Sequence, residues 1–332
     1  ARRKNGNGQL ARDISFFIHD TRNGGIEVEE VFENPGLHML PYGRNKIDIS
    51  VPEDYKLQPK SIGIKMMLDM LHRSRLQFPG MGMGFLKRIL DEAHAHCKQR
   101  YVGGKSLFNY DQVKHRLIRM QSSFTVCSAM CSFTSSNVSN DKDVSSEAIS
   151  ANAIKTVTTD MMSNASNSLL QLMGAKGYQL DQFSGRAFID CRPFQIFEGS
   201  NDILYQQVSD GIIKLMKNVK HSNLYDFLSN YKLTEHAADY VKDALNFELK
   251  SSMKQRKRVK LGEALSRLIS LQLTLKLGEK GFNPDLISNT IETLRADVQN
   301  LLGSFRNEDD SKVVEEYEES SSWFQLFSPV PA

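Results

Sequence analysis

One glutamate in the chain is placed where a carboxylate could act on a substrate. Glu198 follows Phe194 and Phe197 and precedes Gly199 and a segment with helical character. Apolar neighbours remove water from a carboxylate and favour its protonated form, which suits a catalytic base. The simpler interpretation is a helix N-terminus, with Ser200 as the capping residue and Glu198 solvated just outside the helix. The local pattern by itself favours this simpler interpretation, because most carboxylates are solvated.

A second group of residues with chemical potential is the basic run from Lys250 to Lys260. It contains Lys or Arg at positions 250, 254, 256, 257, 258 and 260 and no acidic residue. Such a run suits the phosphates of a nucleic acid or the headgroups of an acidic membrane surface. The alternative is a solvated helix face that the acidic segment at 308–319 balances. The sequence leaves both interpretations open.

The composition is that of a globular protein. The chain has 332 residues, of which 40% are hydrophobic and 24% charged, and this length suits two or three domains. The net charge of +3 is too small to indicate a nucleic-acid or membrane partner. The four cysteines fit no zinc-binding spacing, so we expect reduced thiols and no metal site. No run of eighteen apolar residues occurs, and we expect a cytoplasmic location.

The elements that must position Glu198 fall into three parts. Residues 1–58 contain short strand-like runs at 14–19, 26–32 and 46–51 separated by turn signals, typical of part of a small sheet or barrel. Residues 59–219 show helical periodicity in a first helix from about Ser61 and then over 110–132, 145–173 and 200–219. These four helices predict an antiparallel bundle. Residues 220–332 predict a helical extension with an apolar stripe around Leu265 and Leu275.

Motifs in the bundle then occur in an order and at spacings that indicate a family. They are Arg75 with the glycines at 80, 82 and 84, Arg100-x-x-x-Gly-Lys105, Lys155 with Gln171 sixteen residues later, Gly174-x-x-Gly-Tyr178 and Phe197-Glu-Gly-Ser200. Over about 160 residues this succession resembles the C-terminal domain of acyl-CoA dehydrogenases. The fold that the resemblance implies is mainly α: a four-helix bundle preceded by a partial β-domain and followed by a helical extension.

The resemblance implies a reaction and a role for Glu198. Acyl-CoA dehydrogenases remove a proton from the α-carbon of a fatty acyl-CoA, while a hydride passes from the β-carbon to FAD. Glu198 occupies the position of the base, and Arg75 and Gly199 occupy positions near the substrate. Some relatives carry the base on the first helix instead, at the position of Ser74, which cannot do this work. The resemblance therefore favours Glu198 as a catalytic base.

The resemblance also assigns residues to the cofactor. Arg100 matches an arginine that contacts the FAD phosphates of a neighbouring subunit, and a guanidinium suits a pyrophosphate. Gln171 and Gly174 match positions close to the same FAD, and Ser200 and Asp202 match positions near the adenosine end of the subunit's own FAD. The implied assembly is a homodimer or homotetramer with FAD at the subunit interface, with an electron-transfer partner.

Two functional classes follow. The first is an FAD-dependent acyl-CoA dehydrogenase. The second is a protein of the same descent, of the nucleic-acid-binding or alkylation-response type, with little dehydrogenase activity, because a helical extension occurs in both very-long-chain and alkylation-response relatives. The resemblance leaves the family's N-terminal helical domain and the first half of its β-domain without a counterpart in these 332 residues. We therefore expect the chain to be a fragment that is inactive by itself.

Overall fold

The computed structural model describes residues 1–2, 4, 6–250, 252–307 and 312–313. Its first part contains short strands, as predicted. They are β1 (Phe16–Phe17), β2 (Ile26–Val31), β3 (Gly43–Ile47) and β4 (Lys56–Leu57). β2 pairs with β3 and β1 with β4, both antiparallel, so two separate ladders form. The third strand lies earlier than the 46–51 run predicts, because its register is set by pairing with β2. All residues of β2 and β3 are exposed.

The predicted four-helix bundle is present, with boundaries close to those expected. It consists of α1 (Gly63–Gln99), α2 (Asp111–Asn137), α3 (Ala148–Met173) and α5 (Asn201–Asn218). α1 is continuous through Pro79 and the glycines at 80, 82 and 84. It ends before Gly103, which lies instead in the turn between β5 (Tyr101–Val102) and β6 (Lys105–Ser106). The nine-residue helix α4 (Phe183–Cys191) was not predicted.

The extension is helical in its described part. After the short helices α6 (Leu224–Leu228) and α7 (Lys242–Leu245) come α8 (Gln255–Glu279) and α9 (Pro284–Arg306). α8 packs on α5, α2 and α3, and α9 packs on α8 and α2. The acidic 308–319 segment lies outside the described residues apart from Lys312 and Val313.

One hydrophobic cluster joins the bundle to the extension. It contains residues of α1, α2 and α3, such as Leu76, Val126 and Ile154, together with Leu268 of α8 and Leu294 of α9. A second cluster fills the other end of the bundle between α1, α2 and α3. In the described part of the chain no helix is long and apolar enough to cross a membrane. Nor do the described His, Cys, Asp and Glu residues form a group of three suited to a metal ion.

Candidate active site

The backbone around Glu198 has an uncommon conformation. A 3₁₀ turn over Arg192–Gln195 leads into Glu198, whose φ is 56°, and Gly199, whose φ is 97°. A left-handed conformation costs a non-glycine residue on the order of 1–3 kcal/mol and persists only where its surroundings enforce it. α5 begins two residues later, with Ser200 at its N-cap position but without a side-chain capping bond. The surroundings of the turn therefore decide its shape.

Two buried cations hold this turn by its main chain. Arg75 of α1 donates from Nη2 and Nε to the carbonyl oxygen of Glu198, at 2.6 and 3.2 Å, and from Nη1 to Asn152 Oδ1 at 2.8 Å. Lys155 of α3 donates to the carbonyl oxygen of Gly199 at 3.0 Å. Burial lowers the pKa of Arg75, and burial together with the nearby Arg75 charge lowers that of Lys155 to about 8. Because these bonds to the turn involve only carbonyl groups of its main chain, the side chain of Glu198 takes no part in holding the turn.

The Glu198 carboxylate is half-buried rather than solvated. Its Oε1 accepts a hydrogen bond from Ser74 Oγ at 2.6 Å, whereas Oε2 is buried without a hydrogen-bond partner in the described chain. The ring of Phe197 packs on Phe194, with centroids 5.1 Å apart, and Phe194 packs on Phe78. The structure therefore supports the sheltered interpretation of this carboxylate over the solvated one.

A carboxylate on α3 clamps the chain on both sides of Glu198. Asp160 Oδ1 accepts from Gln195 Nε2 and from Asn201 Nδ2, both at 2.7 Å. Its Oδ2 accepts from the Tyr205 hydroxyl, and Arg267 Nη2 of α8 lies 3.4 Å from it. The segment that carries Glu198 is thus fixed to α3, and through Arg267 to the extension.

A large cavity lies beside this segment. Its volume is about 980 Å³, and its mostly apolar wall joins the 32–42 loop to α4 and the turn that follows, through residues such as Phe32, Leu37, Phe188 and Phe197. The Leu37 N–H donates to Asp190 Oδ1 at 2.8 Å and attaches the loop to α4. Cavities of this size and lining suit a largely apolar ligand.

The predicted cofactor residues lie in two places. Arg100, Gln171 and Gly174 lie at the ends of α1 and α3, which are adjacent: Cys97 of α1 and Leu172 of α3 belong to the same buried cluster. Ser200 and Asp202 lie at the start of α5, beside Glu198. Arg75 lies on α1 next to Glu198, and at 1.5 Å per helical residue the first group is roughly 35 Å further along that helix. The structure thus does not bring the two groups together within one chain.

The first group nevertheless has the character of an anion site. Arg100 and Gln171 are exposed, and the Arg100 guanidinium has no carboxylate partner among the described residues. Gly174 has a φ of 65° at the end of α3, and a Cβ there would meet open space. A free guanidinium, an amide and a left-handed glycine suit the phosphates of a dinucleotide.

Three contributors to the site were missed from the sequence. Ser74 was considered only as a base, and Asn152 and Asp160 were not considered. A signal for Asn152 existed, because Asn152, Lys155 and Thr159 recur at 3- and 4-residue spacing in a helix rich in small residues, but this spacing does not include Asp160. No local pattern could have indicated Ser74, whose partner is 124 residues away.

The basic run is partly neutralised by its neighbours. Arg258 pairs with Asp210 at 3.1 Å and Lys260 with Glu263 at 2.7 Å. The ammonium group of Lys257 lies 5.8 Å from the ring centroid of Phe305. No contact among the described residues selects the nucleic-acid or membrane interpretation, which stays a prediction.

Fold and site together define a helical-bundle protein with a half-buried carboxylate on a tight turn, and comparison with known proteins shows which family the bundle matches. Residues 62–213 match the family profile described as "Acyl-CoA dehydrogenase, C-terminal domain". The predicted resemblance is confirmed: the bundle matches the C-terminal domain of the acyl-CoA dehydrogenase family. The profile covers α1, α2, α3, the turn that carries Glu198, and α5 as far as residue 213.

Relatives of known name share part of the chain. Human mitochondrial very long-chain specific acyl-CoA dehydrogenase is 26% identical over 198 residues, which are 59% of this chain and 30% of the relative. Caffeyl-CoA reductase-Etf complex subunit CarC of Acetobacterium woodii is 24% identical over 61% of this chain and 53% of its own. The chain thus spans about half of one relative and under a third of the other.

Solved structures confirm the fold. An acyl-CoA dehydrogenase from Bacillus anthracis, complexed with FAD, superposes with a TM-score of 0.69 at 16% identity, over 90% of this chain and 58% of that one. Butyryl-CoA dehydrogenase from Megasphaera elsdenii superposes with a TM-score of 0.52 at 20% identity, over 64% of this chain and 55% of that one. The mainly helical fold predicted from the sequence is thereby confirmed.

Proposed function

We propose that the protein dehydrogenates a fatty acyl-CoA thioester between its α- and β-carbons with FAD, and that Glu198 is the base for the α-proton. The observation that carries this proposal is the sheltered carboxylate of Glu198, bonded to Ser74 Oγ on a turn fixed by Arg75 and Lys155. The α-hydrogen of a thioester is only weakly acidic, so its base must be sheltered and held in position.

The residues of this chain divide the work between them. The Ser74 hydroxyl orients the carboxylate through Oε1, and we assign Oε2, which has no other partner, as the atom that takes the proton. The Glu198 N–H donates to no acceptor in the described chain, and we assign it to the thioester oxygen. Polarising that oxygen stabilises the charge that develops as the proton leaves. Gly199 adds no side chain that would obstruct this approach.

We propose that bound FAD would supply the acceptor for the hydride of the β-carbon. Arg100, Gln171 and Gly174 would hold it from one copy of the chain, and Ser200 and Asp202 from another. The separation of roughly 35 Å along α1 supports a site shared between copies, and hence a homodimer or homotetramer. We further propose an electron-transfer partner for reoxidation, as the subunit name of the Acetobacterium relative suggests. The four free cysteines support a reducing, cytoplasmic location.

The test is an anaerobic titration of the FAD-supplied protein with acyl-CoAs of different length, followed by flavin absorbance. We expect bleaching with a fatty acyl-CoA, and we expect Glu198→Gln to slow it by orders of magnitude. Glu292→Gln, at an exposed position on α9, is the matched control and should bleach normally. Undiminished bleaching in Glu198→Gln would reject the base assignment.

A further inference from the structure

A polar cavity lies where the extension meets the bundle. Its volume is about 400 Å³, and its wall is formed by α2, α3, α8 and α9. Arg116 and Arg119 come from α2 and Arg267 from α8, with hydroxyl groups such as those of Ser122, Ser168 and Thr293 between them. This volume is near the lower end for small-molecule sites, and the lining does not suit an acyl chain.

The positive charge of this cavity is incompletely balanced. Arg119 is neutralised by Asp297, whose two oxygens it contacts at 3.0 Å. Arg116 has no carboxylate partner among the described residues, and its guanidinium bonds only to Ser168 Oγ, at 3.3 Å. Arg267 shares Asp160 at 3.4 Å with three other donors, and its buried Nη1 has no hydrogen-bond partner in the part of the chain that the structure describes.

Such an arrangement is costly unless a ligand completes it. A buried guanidinium nitrogen without an acceptor carries a desolvation penalty that a hydrogen bond to a charged acceptor offsets. Arginine pairs well with the oxygens of phosphate because its planar donors match their geometry. The nearby hydroxyl groups of Ser122 and Thr293 are hydrogen-bonded to each other at 3.2 Å, which leaves one of the two O–H groups as a neutral donor.

We propose that this cavity binds a phosphate-class oxyanion, either inorganic phosphate or the phosphate group of a small ester. Arg116 and Arg267 are its charged ligands, and the Arg119–Asp297 pair forms the wall without adding net charge. The site does not rest on the proposed dehydrogenation. It is also distinct from the Arg100 position, which does not line the cavity.

The experiment is isothermal titration of the full 332-residue chain, without FAD, with inorganic phosphate and with glycerol 3-phosphate, at an ionic strength held constant with chloride. We expect saturable binding, weakened about 10-fold or more by Arg116→Gln, the loss of one charged contact. Arg295→Gln, at an exposed position on α9, is the control and should retain the wild-type affinity. Arg100→Gln reports whether phosphate instead occupies the position assigned to FAD. Circular dichroism of Arg116→Gln checks that the fold is kept, since this half-exposed residue is safer to change than Arg267.

The results of this titration distinguish the proposed phosphate site from its alternatives. Tighter binding of the ester assigns the site to a phosphate ester, and tighter binding of phosphate assigns it to the free ion. Absence of saturable binding to the wild-type chain overturns the proposal. So does binding that Arg100→Gln abolishes while Arg116→Gln leaves it intact, because the phosphate would then occupy the position assigned to FAD.

Discussion

The turn at Glu198 is fixed through its carbonyl oxygens, so its side chain is free for chemistry. Arg75 and Lys155 are both buried, and each bonds to one of two consecutive carbonyl groups. These bonds offset the left-handed backbone of Glu198. A change of the Glu198 side chain should therefore leave the turn in place, which is what makes Glu198→Gln an interpretable variant.

The buried Lys155 predicts a pH dependence of stability. Its pKa is about 8 in the folded chain against an ordinary 10.5, because of burial and the Arg75 charge. Between these values the unfolded chain binds more protons, so the free energy of unfolding rises with pH, by on the order of 3 kcal/mol. Urea unfolding from pH 8 to 10.5 should show this rise in the wild type relative to Lys155→Met. Parallel curves for the two proteins would contradict the prediction.

The Asp160 clamp predicts a change in local dynamics. Asp160→Asn replaces one acceptor oxygen with a donor and cannot satisfy Gln195, Asn201 and Tyr205 together. We expect the amides of Ile196 and Phe197, which both donate to Pro193 O, to exchange about 10-fold faster or more. Hydrogen exchange measures this. Asp91→Asn, which breaks an exposed pair with Lys87, is the control and should leave these amides unchanged.

At the residue scale, the sequence indicated which residue types form the site but not which residues contact each other. The apolar run before Glu198 left shelter open as an alternative, but the local pattern by itself favoured a solvated carboxylate. Only the bundle motifs favoured Glu198 as the base. The Ser74 contact and the Asp160 clamp depend on how α1, α3 and α5 cross. No local spacing encodes that crossing.

Among the elements, the crossing of α8 over α5 depends on one glycine. A Cβ at Gly262 would lie 1.9 Å from the carbonyl oxygen of Tyr205, a backbone atom that cannot rotate away. The α5–α8 contact is among the most extensive between helices of the described chain. Close packing of this kind is possible only where one helix lacks a side chain.

Gly262→Ala should therefore destabilise the chain by about 1–3 kcal/mol, because α8 must shift. Urea unfolding measures the change. Gly303→Ala in α9 is the matched control, since a Cβ there meets open space, and it should stabilise by about 0.5–1 kcal/mol. Equal effects of the two substitutions would show that the crossing tolerates a methyl group.

The long helices were predictable because their periodicity persists over many turns, whereas the shorter elements were not. α4 has only nine residues, too few for a clear repeat. The β3 boundaries follow from pairing with β2, which no single strand encodes. Prediction from sequence succeeded for elements whose periodicity repeats over many residues. It failed where pairing with a segment elsewhere in the chain determines the bounds of the element.

For the whole molecule, the bundle and the extension share one core. Leu268 of α8 is fully buried in the same cluster as Leu76 and Ile154 of the bundle. The boundary at residue 219 stays a prediction, and the packing couples the parts on either side of it. We expect the helical part to unfold as one cooperative unit.

Leu268→Ala should then lower the midpoint temperature of a single unfolding transition and reduce the free energy of unfolding by about 2–5 kcal/mol. Scanning calorimetry tests this by comparing the calorimetric and van't Hoff enthalpies. Leu180→Ala is the control, because Leu180 is 88% exposed and should leave the midpoint unchanged. Two separated transitions, only one of them shifted by Leu268→Ala, would show independent domains.

The charge of the molecule predicts little affinity for duplex DNA. The net charge is +3, and Arg258 and Lys260 are engaged by neighbouring carboxylates. Fluorescence anisotropy with a labelled duplex at low salt should show no saturable binding. Binding that falls steeply with salt, and that is lost when Arg256, Lys257 and Arg258 become Ala, would instead support the nucleic-acid alternative.

The close approach at Gly262 also constrains how this protein can diversify. Most positions of α8 could drift to other apolar or polar residues over time, but this one allows no enlargement without separating the two helices. A related chain that retains helices equivalent to α8 and α9 should keep a glycine at this crossing, even where the rest of its sequence has diverged. That single position could therefore serve as a hallmark for recognising distant cousins that share the architecture.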